Sequence, residues 1–203
     1  MFRMLTACIL VFVATPAYTL DEKLLREGDI IFQETSSDQA RAIRLATRSR
    51  YTHAGIVFAY NGRLRVLEAV QPVRITGLDA FIARGVGGHY VVKRLVNADS
   101  LLTEEAVDRM RRTGAAFLGR DYDIYFGWSD ERIYCTELIW KIYERALGVR
   151  VGRLERLRDF DLSHPYVKGI MRRRYGARVP LDEKVISPES MFRADNLVTV
   201  TEE

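Results

Sequence analysis

Three residues far apart along the chain could do chemistry together: Cys135 in IYCTELIW, His53 in YTHAGIVF and Glu68 in LEAV. A thiol becomes a nucleophile when it loses its proton. An imidazole can take that proton, and a carboxylate can hold the imidazole in one tautomer. Such a trio suits attack on an acyl carbon. Plainer readings stand beside this one. Cys135 lies three and four residues ahead of Leu138 and Ile139, so it points with an apolar stripe and fits a core. A strand histidine can be a satisfied core residue, and Glu68 can face solvent.

The elements that must position these side chains can be read from local signals. Asn61-Gly62 between two β-rich runs is a strong hairpin signal. With that two-residue turn, residues facing each other have numbers that sum to 123. Gly55 then lies opposite Glu68, and His53, Gly55 and Val57 share a face with Val70, Glu68 and Val66. Glu68 is diagonal to His53, roughly 7–8 Å away between backbones, and Gly55 leaves the space between them open. A slip of one residue would separate the pair. Cys135 stands near the start of a helix whose stripe is Leu138, Ile139, Ile142, Tyr143, Ala146 and Leu147, ended by Gly148. Helix starts favour a thiolate, and an imidazolium favours it further. If Ser129 or Asp130 caps this helix, Cys135 sits one turn in and the dipole helps less. Glu137, two residues on, is expected at the surface.

Elsewhere, residues 28–33 and 89–96 read as strands. Residues 37–49 and 103–119 read as helices capped by Ser37 or Asp38 and by Thr103. GLDAFIARG, SHPYVKGIMRRRYG and SPESMF suggest further helices, and NLVTV a last strand. The pattern predicts one α+β domain with a mostly antiparallel sheet.

The chain has 203 residues, 48% hydrophobic and 29% charged, enough for one good core. Residues 1–19 carry Arg3, an apolar run from Leu5 to Ala14, then small residues at Ala17 and Thr19. The run is too short for a membrane span and reads as a secretory signal peptide, with an uncleaved anchor as the alternative. Export to a periplasm or the outside follows, with a single domain over residues 20–203. Cys8 leaves with the leader, so Cys135 has no thiol to pair with in an oxidising compartment, and burial or use must protect it. With 31 Lys and Arg against 27 Asp and Glu, the chain is mildly basic. MRRRYGAR, residues 171–178, reads as a solvated helix end rather than a binding patch. Nucleic-acid motifs and phosphate loops are absent, as is metal-ligand spacing such as CxxC or HExxH, so no cofactor or metal is expected. Zinc held by Cys135, His53 and Glu68 is the rival that this spacing disfavours.

GDIIFQ, RYTHAGIVF, VLEAVQPV, FGWSDERIYCTELIWKIYERALG, RRYG and VISPESMF occur in that order. Together they resemble the permuted papain-like amidase family, the YiiX-like branch of the NlpC-type cysteine hydrolases, over residues 27–198. The resemblance implies a circularly permuted papain-like fold with the nucleophile at a helix start. It implies Cys135 as nucleophile, His53 as base and Glu68 as its orienting acid. On that reading Cys135 attacks an amide or ester carbonyl and forms an acyl-enzyme, with the oxyanion held by the Cys135 N–H and one more donor. Tyr51, Tyr134, Gln33 and Ser129 are the candidates for that donor. The expected substrate is a small amide, a peptide or an N-acyl compound. An anionic envelope component is a further partner class. Acyl-lipid thioesterase or acyltransferase chemistry on the same site, and a non-catalytic module binding cell-wall peptide or lipid, are the alternatives.

Overall fold

The computed structural model describes residues 20–203; the leader expected at residues 1–19 lies outside them. Ten strands and seven α-helices follow in chain order. They are β1 (Ile30–Thr35), α1 (Asp38–Thr47), β2 (His53–Tyr60), β3 (Arg63–Glu68), β4 (Arg74–Gly77), α2 (Leu78–Ile82), β5 (Gly85–Leu95), α3 (Ala98–Leu101), α4 (Glu104–Ala115), β6 (Asp121–Tyr122), β7 (Arg132–Ile133), α5 (Cys135–Leu147), β8 (Glu155–Arg156), α6 (Pro165–Tyr175), β9 (Lys184–Val185), α7 (Pro188–Phe192) and β10 (Leu197–Glu202). Six strands form the main sheet in the order β10-β5-β1-β2-β3-β4, every neighbouring pair antiparallel.

Local chemistry explains why the helices start where they do. Ser37 Oγ accepts the Ala40 N–H and Thr103 Oγ1 the Ala106 N–H, each satisfying a donor that a helix start leaves free. Pro165 and Pro188 stand in the first turns of α6 and α7, where a missing N–H costs nothing. Asn61 and Gly62 both take positive φ, 52° and 72°, as a two-residue hairpin turn with the right twist demands. The turn fixes the register: Tyr60 faces Arg63 and Ile56 faces Leu67, so the expected sum of 123 holds along the hairpin.

Each face of the sheet buries its own set of side chains. Ala54, Ile56 and Phe58 of β2 belong to the large core that contains Val107 and Met110 of α4 and Leu138, Ile139 and Ile142 of α5. Val57 and Val66 face the other way, with Ile31 and Val92, onto Leu78 and Phe81 of α2. Every residue of α5 from Cys135 to Tyr143 is buried, so this helix is enclosed rather than half-exposed. Enclosure corrects the expectation for Glu137, which is fully buried instead of turned to solvent. Full burial of a leucine or isoleucine side chain contributes about 1.5–3 kcal/mol. Several such residues therefore anchor the helix that carries Cys135. The α+β architecture with a mostly antiparallel sheet packed with helices is as the sequence patterns predict. No helix among the described residues is long and apolar enough to cross a membrane.

Candidate active site

Cys135 is the first residue of α5, with Tyr134 as N-cap. Ser129 and Asp130 lie upstream of the helix, so neither is its cap and Cys135 keeps the full benefit of the helix start. Glu137 accepts the Tyr134 backbone N–H at 3.4 Å, and its carboxylate pairs with Lys141 Nζ at 2.7 Å. Lys141 is itself buried and donates to the Ser129 carbonyl and to Asp130. This network fixes the approach of the chain to Cys135. Burial pushes the Glu137 carboxyl up to about 8, against the pull of Lys141.

His53 opens β2, and Glu68 closes β3 on the same face. His53 Nε2 and Glu68 Oε2 are 2.7 Å apart. Gly55 is what permits this. A Cβ there would lie 2.2 Å from Val66 Cγ1 and 3.3 Å from Phe81 Cε2. The Phe81 ring stacks on the imidazole at 5.6 Å between centroids. Glu68 also accepts Thr76 Oγ1 at 2.5 Å and Arg84 Nη2 at 2.6 Å to each oxygen. Burial works to raise the Glu68 pKa, but His53, Arg84 and Thr76 outweigh it and hold it at about 2.

With Nε2 committed to Glu68, Nδ1 of His53 is left for the Cys135 sulfur, and the two groups are close enough for each to shift the acidity of the other. Burial alone would depress the imidazole pKa. Cys135 and Glu68 overcome it and lift His53 to about 9. For Cys135 burial opposes ionisation, yet His53 and the N–H groups of Ala54 and Thr136 bring the thiol below its usual value. Each group thus favours the charged form of the other. The thiol is free rather than disulfide-bonded.

Tyr122 completes the surroundings of the sulfur. The parallel bridge of β6 and β7 sets Tyr122 beside Ile133, two residues before Cys135. Its hydroxyl accepts Gln39 Nε2 at 2.7 Å and lies close enough to the sulfur for the charge there to bear on it. Burial and the nearby thiolate raise its pKa well above the usual tyrosine value, so the hydroxyl keeps its proton.

The four residues expected to supply an oxyanion donor have these surroundings. Tyr51 is in the core, its ring 4.0 Å from that of Phe192. The Tyr134 hydroxyl accepts the Ile186 N–H at 3.0 Å. Ser129 offers its carbonyl to Lys141. Gln33 faces His53 across β1 and β2, but its amide is sealed beside Gly85 without a partner among the described residues. Sequence reasoning missed Tyr122, Arg84, Thr76 and Gln39. Thr76 had a signal, because β4 pairs Val66 with Thr76 and so puts it on the Glu68 face. Tyr122 had none beyond its aromatic surroundings.

Two clefts meet at the trio. One is open and of mixed character, lined by His53, Gln71, Arg84 and Arg132 together with Val70 and Ile124. The other is mainly apolar, walled by Ile43, Leu162, Val167, Ile170 and Val185, with Cys135 on its wall. Gln39 and Ile43 of α1 border both. The expectation that MRRRYGAR is a solvated helix end holds for the exposed Arg172 and Arg173, whereas Arg174 turns inward to Gln39.

Comparison with known proteins agrees with this architecture. The family described as "Permuted papain-like amidase enzyme, YaeF/YiiX, C92 family" matches residues 24–201. A relative from Escherichia coli (strain K12), "Uncharacterized protein YiiX", is 43% identical over 191 residues, 94% of this chain and 92% of the relative. The crystal structure of "metalloprotein yiiX from Escherichia coli O157:H7, DUF1105" aligns with TM-score 0.83 and 45% identity, covering 88% of this chain and 97% of that one. In the present chain His53 Nε2 is taken up by Glu68, and Glu68 itself is held by Arg84 and Thr76, which leaves a poor donor set for a metal. No cluster of three or more His, Cys, Asp or Glu fit to hold an ion occurs among the described residues. The chain belongs to the permuted papain-like amidase family, YaeF/YiiX, C92.

Proposed function

We propose that the protein is a cysteine hydrolase that cleaves an amide bond through an acyl-enzyme on Cys135. The carrying observation is the Glu68–His53 hydrogen bond beside a sulfur at a helix start, near enough for His53 to make the thiol more acidic. Family membership supports hydrolase chemistry of this kind at the coarse level. The Cys135 thiolate attacks the carbonyl carbon, and the carbonyl electron pair moves onto oxygen. The Cys135 N–H and the Tyr122 hydroxyl hold that oxyanion. Imidazolium His53 gives its proton to the departing amine as the C–N bond breaks. Neutral His53 then takes a proton from water, whose oxygen attacks the thioester and releases the acid.

The two clefts favour an orientation for the substrate. His53 lines the open, mixed cleft and must face the leaving group, while Cys135 lines the apolar one. The acyl part then lies among apolar side chains and the amine part within reach of Gln71, Arg84 and Arg132, as in an N-acyl compound. The same observation favours a second reading, acyl-lipid thioesterase or acyltransferase chemistry, in which the group leaving or accepting is not an amine. Export directed by residues 1–19, to a periplasm or the outside, is part of the proposal and rests on their composition.

Mass spectrometry of the protein after exposure to pooled N-acyl amides, peptides and acyl thioesters tests this. The expected result is an acyl adduct on Cys135, lost in Cys135→Ala, with a mass that names the acyl group. Turnover of any of these by Cys135→Ala would rule the mechanism out.

A further inference from the structure

The hydroxyl of Tyr122 sits at the end of a hydrogen-bonded chain that begins on another helix. Arg174 Nη2 of α6 donates to Gln39 Oε1 of α1 at 2.9 Å, and Gln39 Nε2 donates to Tyr122 Oη at 2.7 Å. A guanidinium can only donate. The oxygen of the Gln39 amide must therefore face Arg174, whichever way the amide would otherwise turn, and its NH₂ must face Tyr122. A hydroxyl oxygen that accepts from that NH₂ has its own proton left for another acceptor. Tyr122 pairs with Ile133, two residues before Cys135, and the sulfur is near enough for its charge to act on the hydroxyl.

We infer that Arg174 and Gln39 are positioning residues that fix the direction of the Tyr122 hydroxyl proton, keeping it aimed at the reacting centre. This rests on Tyr122 serving as an oxyanion donor. Arg174 is itself held, its guanidinium 5.6 Å from the centre of the Phe126 ring, while Phe126 packs edge-on against Tyr134. Tyr166 of α6 donates to Asp38 Oδ1 of α1 at 2.8 Å and keeps the two helices together. The chain thus links the α1–α6 contact to the donor. A hydroxyl that need not reorient when charge develops stabilises it more than one free to rotate.

Gln39→Glu separates this role from a structural one. A carboxylate at that position still pairs with Arg174 and fills the same volume. It cannot donate to Tyr122, so Tyr122 donates to it instead and the proton turns away from the sulfur. The probe is p-nitrophenyl butyrate, read as the rate of the acylation burst. Cys135 alkylation by iodoacetamide, followed against pH, reports the thiolate separately and shows any shift that the added charge causes.

Compared where Cys135 is ionised, Tyr122→Phe and Gln39→Glu should each slow acylation on the order of 10²-fold, the cost of one lost oxyanion donor, with alkylation changed by no more than about threefold. Gln39→Met combined with Tyr122→Phe should be no slower than Tyr122→Phe alone, because the two act as one unit. Arg174→Met should slow acylation, and Arg174→Lys, which can also only donate, should restore most of the loss. If Tyr122→Phe slows acylation while Gln39→Glu and Arg174→Met acylate at the wild-type rate, the relay is wrong and the Tyr122 reading stands. If Tyr122→Phe acylates at the wild-type rate, both fall. Should Gln39→Glu fail to fold, the comparison of Arg174→Met with Arg174→Lys decides alone, equal rates overturning the relay.

Discussion

Glu68 makes more contacts than an orienting acid needs. It accepts His53, Thr76 and Arg84 while fully buried, and the small exposed part of this cluster belongs to Arg84. A lone carboxylate would suffer the burial penalty and protonate; His53 first, then Arg84 and Thr76, keep it ionised. The consequence for pH has a definite sign. Glu68 falls from 4.5 to about 2, so its contribution to stability is complete above pH 4.5 and is lost as pH drops toward 2. His53 rises from 6.5 to about 9, so its contribution is complete below pH 6.5 and is lost as pH rises through 9. In the proposed chemistry the upper limb of the acylation profile is the loss of the His53 proton, near pH 9. Glu68→Gln should move that limb to lower pH, move the Cys135 limb up, and slow acylation of p-nitrophenyl butyrate on the order of 10²-fold. A Glu68→Gln profile that overlays wild type would contradict the role of the carboxylate.

At the scale of elements, the β2–β3 hairpin does the positioning. Its register was legible from Asn61-Gly62 alone, and with it the meeting of His53 and Glu68, because a two-residue turn leaves the pairing no freedom. The start of α5 was less legible. Tyr134 caps it without a side-chain signature of the usual kind, and the residues that looked like caps, Ser129 and Asp130, are engaged with Lys141 instead. Gly55 is where the hairpin is least tolerant. Gly55→Ala must displace Val66 Cγ1, 2.2 Å from the added carbon, and the Phe81 ring that stacks on His53. A loss of about 1–3 kcal/mol in urea unfolding, typical of overpacking, is expected together with slower Cys135 acylation. A variant as stable and as reactive as wild type would mean that this face is looser than its contacts imply.

Over the whole molecule, the site joins segments that no local pattern connects. His53 and Glu68 come from one hairpin, Cys135 from a helix enclosed by the large core, Tyr122 from a two-residue parallel bridge, and Gln39 and Arg174 from α1 and α6. The fold class could be read from turn chemistry, helix caps and family resemblance, and the hairpin turn brought His53 and Glu68 together. The contacts across long separations could not. Arg84, Tyr122 and Gln39 are ordinary surface types in sequence and acquire their roles only by packing. Burial of Glu137 and Lys141 was hidden for the same reason, since each looks like a solvent residue until its partner is known. Acidity of the thiol is therefore a property of the folded chain and not of the peptide around Cys135. Its most direct test is the ultraviolet thiolate absorbance of the protein minus that of Cys135→Ser, titrated against pH with and without guanidinium. In the folded protein the thiolate should appear well below the ordinary thiol pKa of about 8.5, and unfolding should return it to that value. A folded-state titration that coincides with the unfolded one would contradict the Cys135–His53 ion pair.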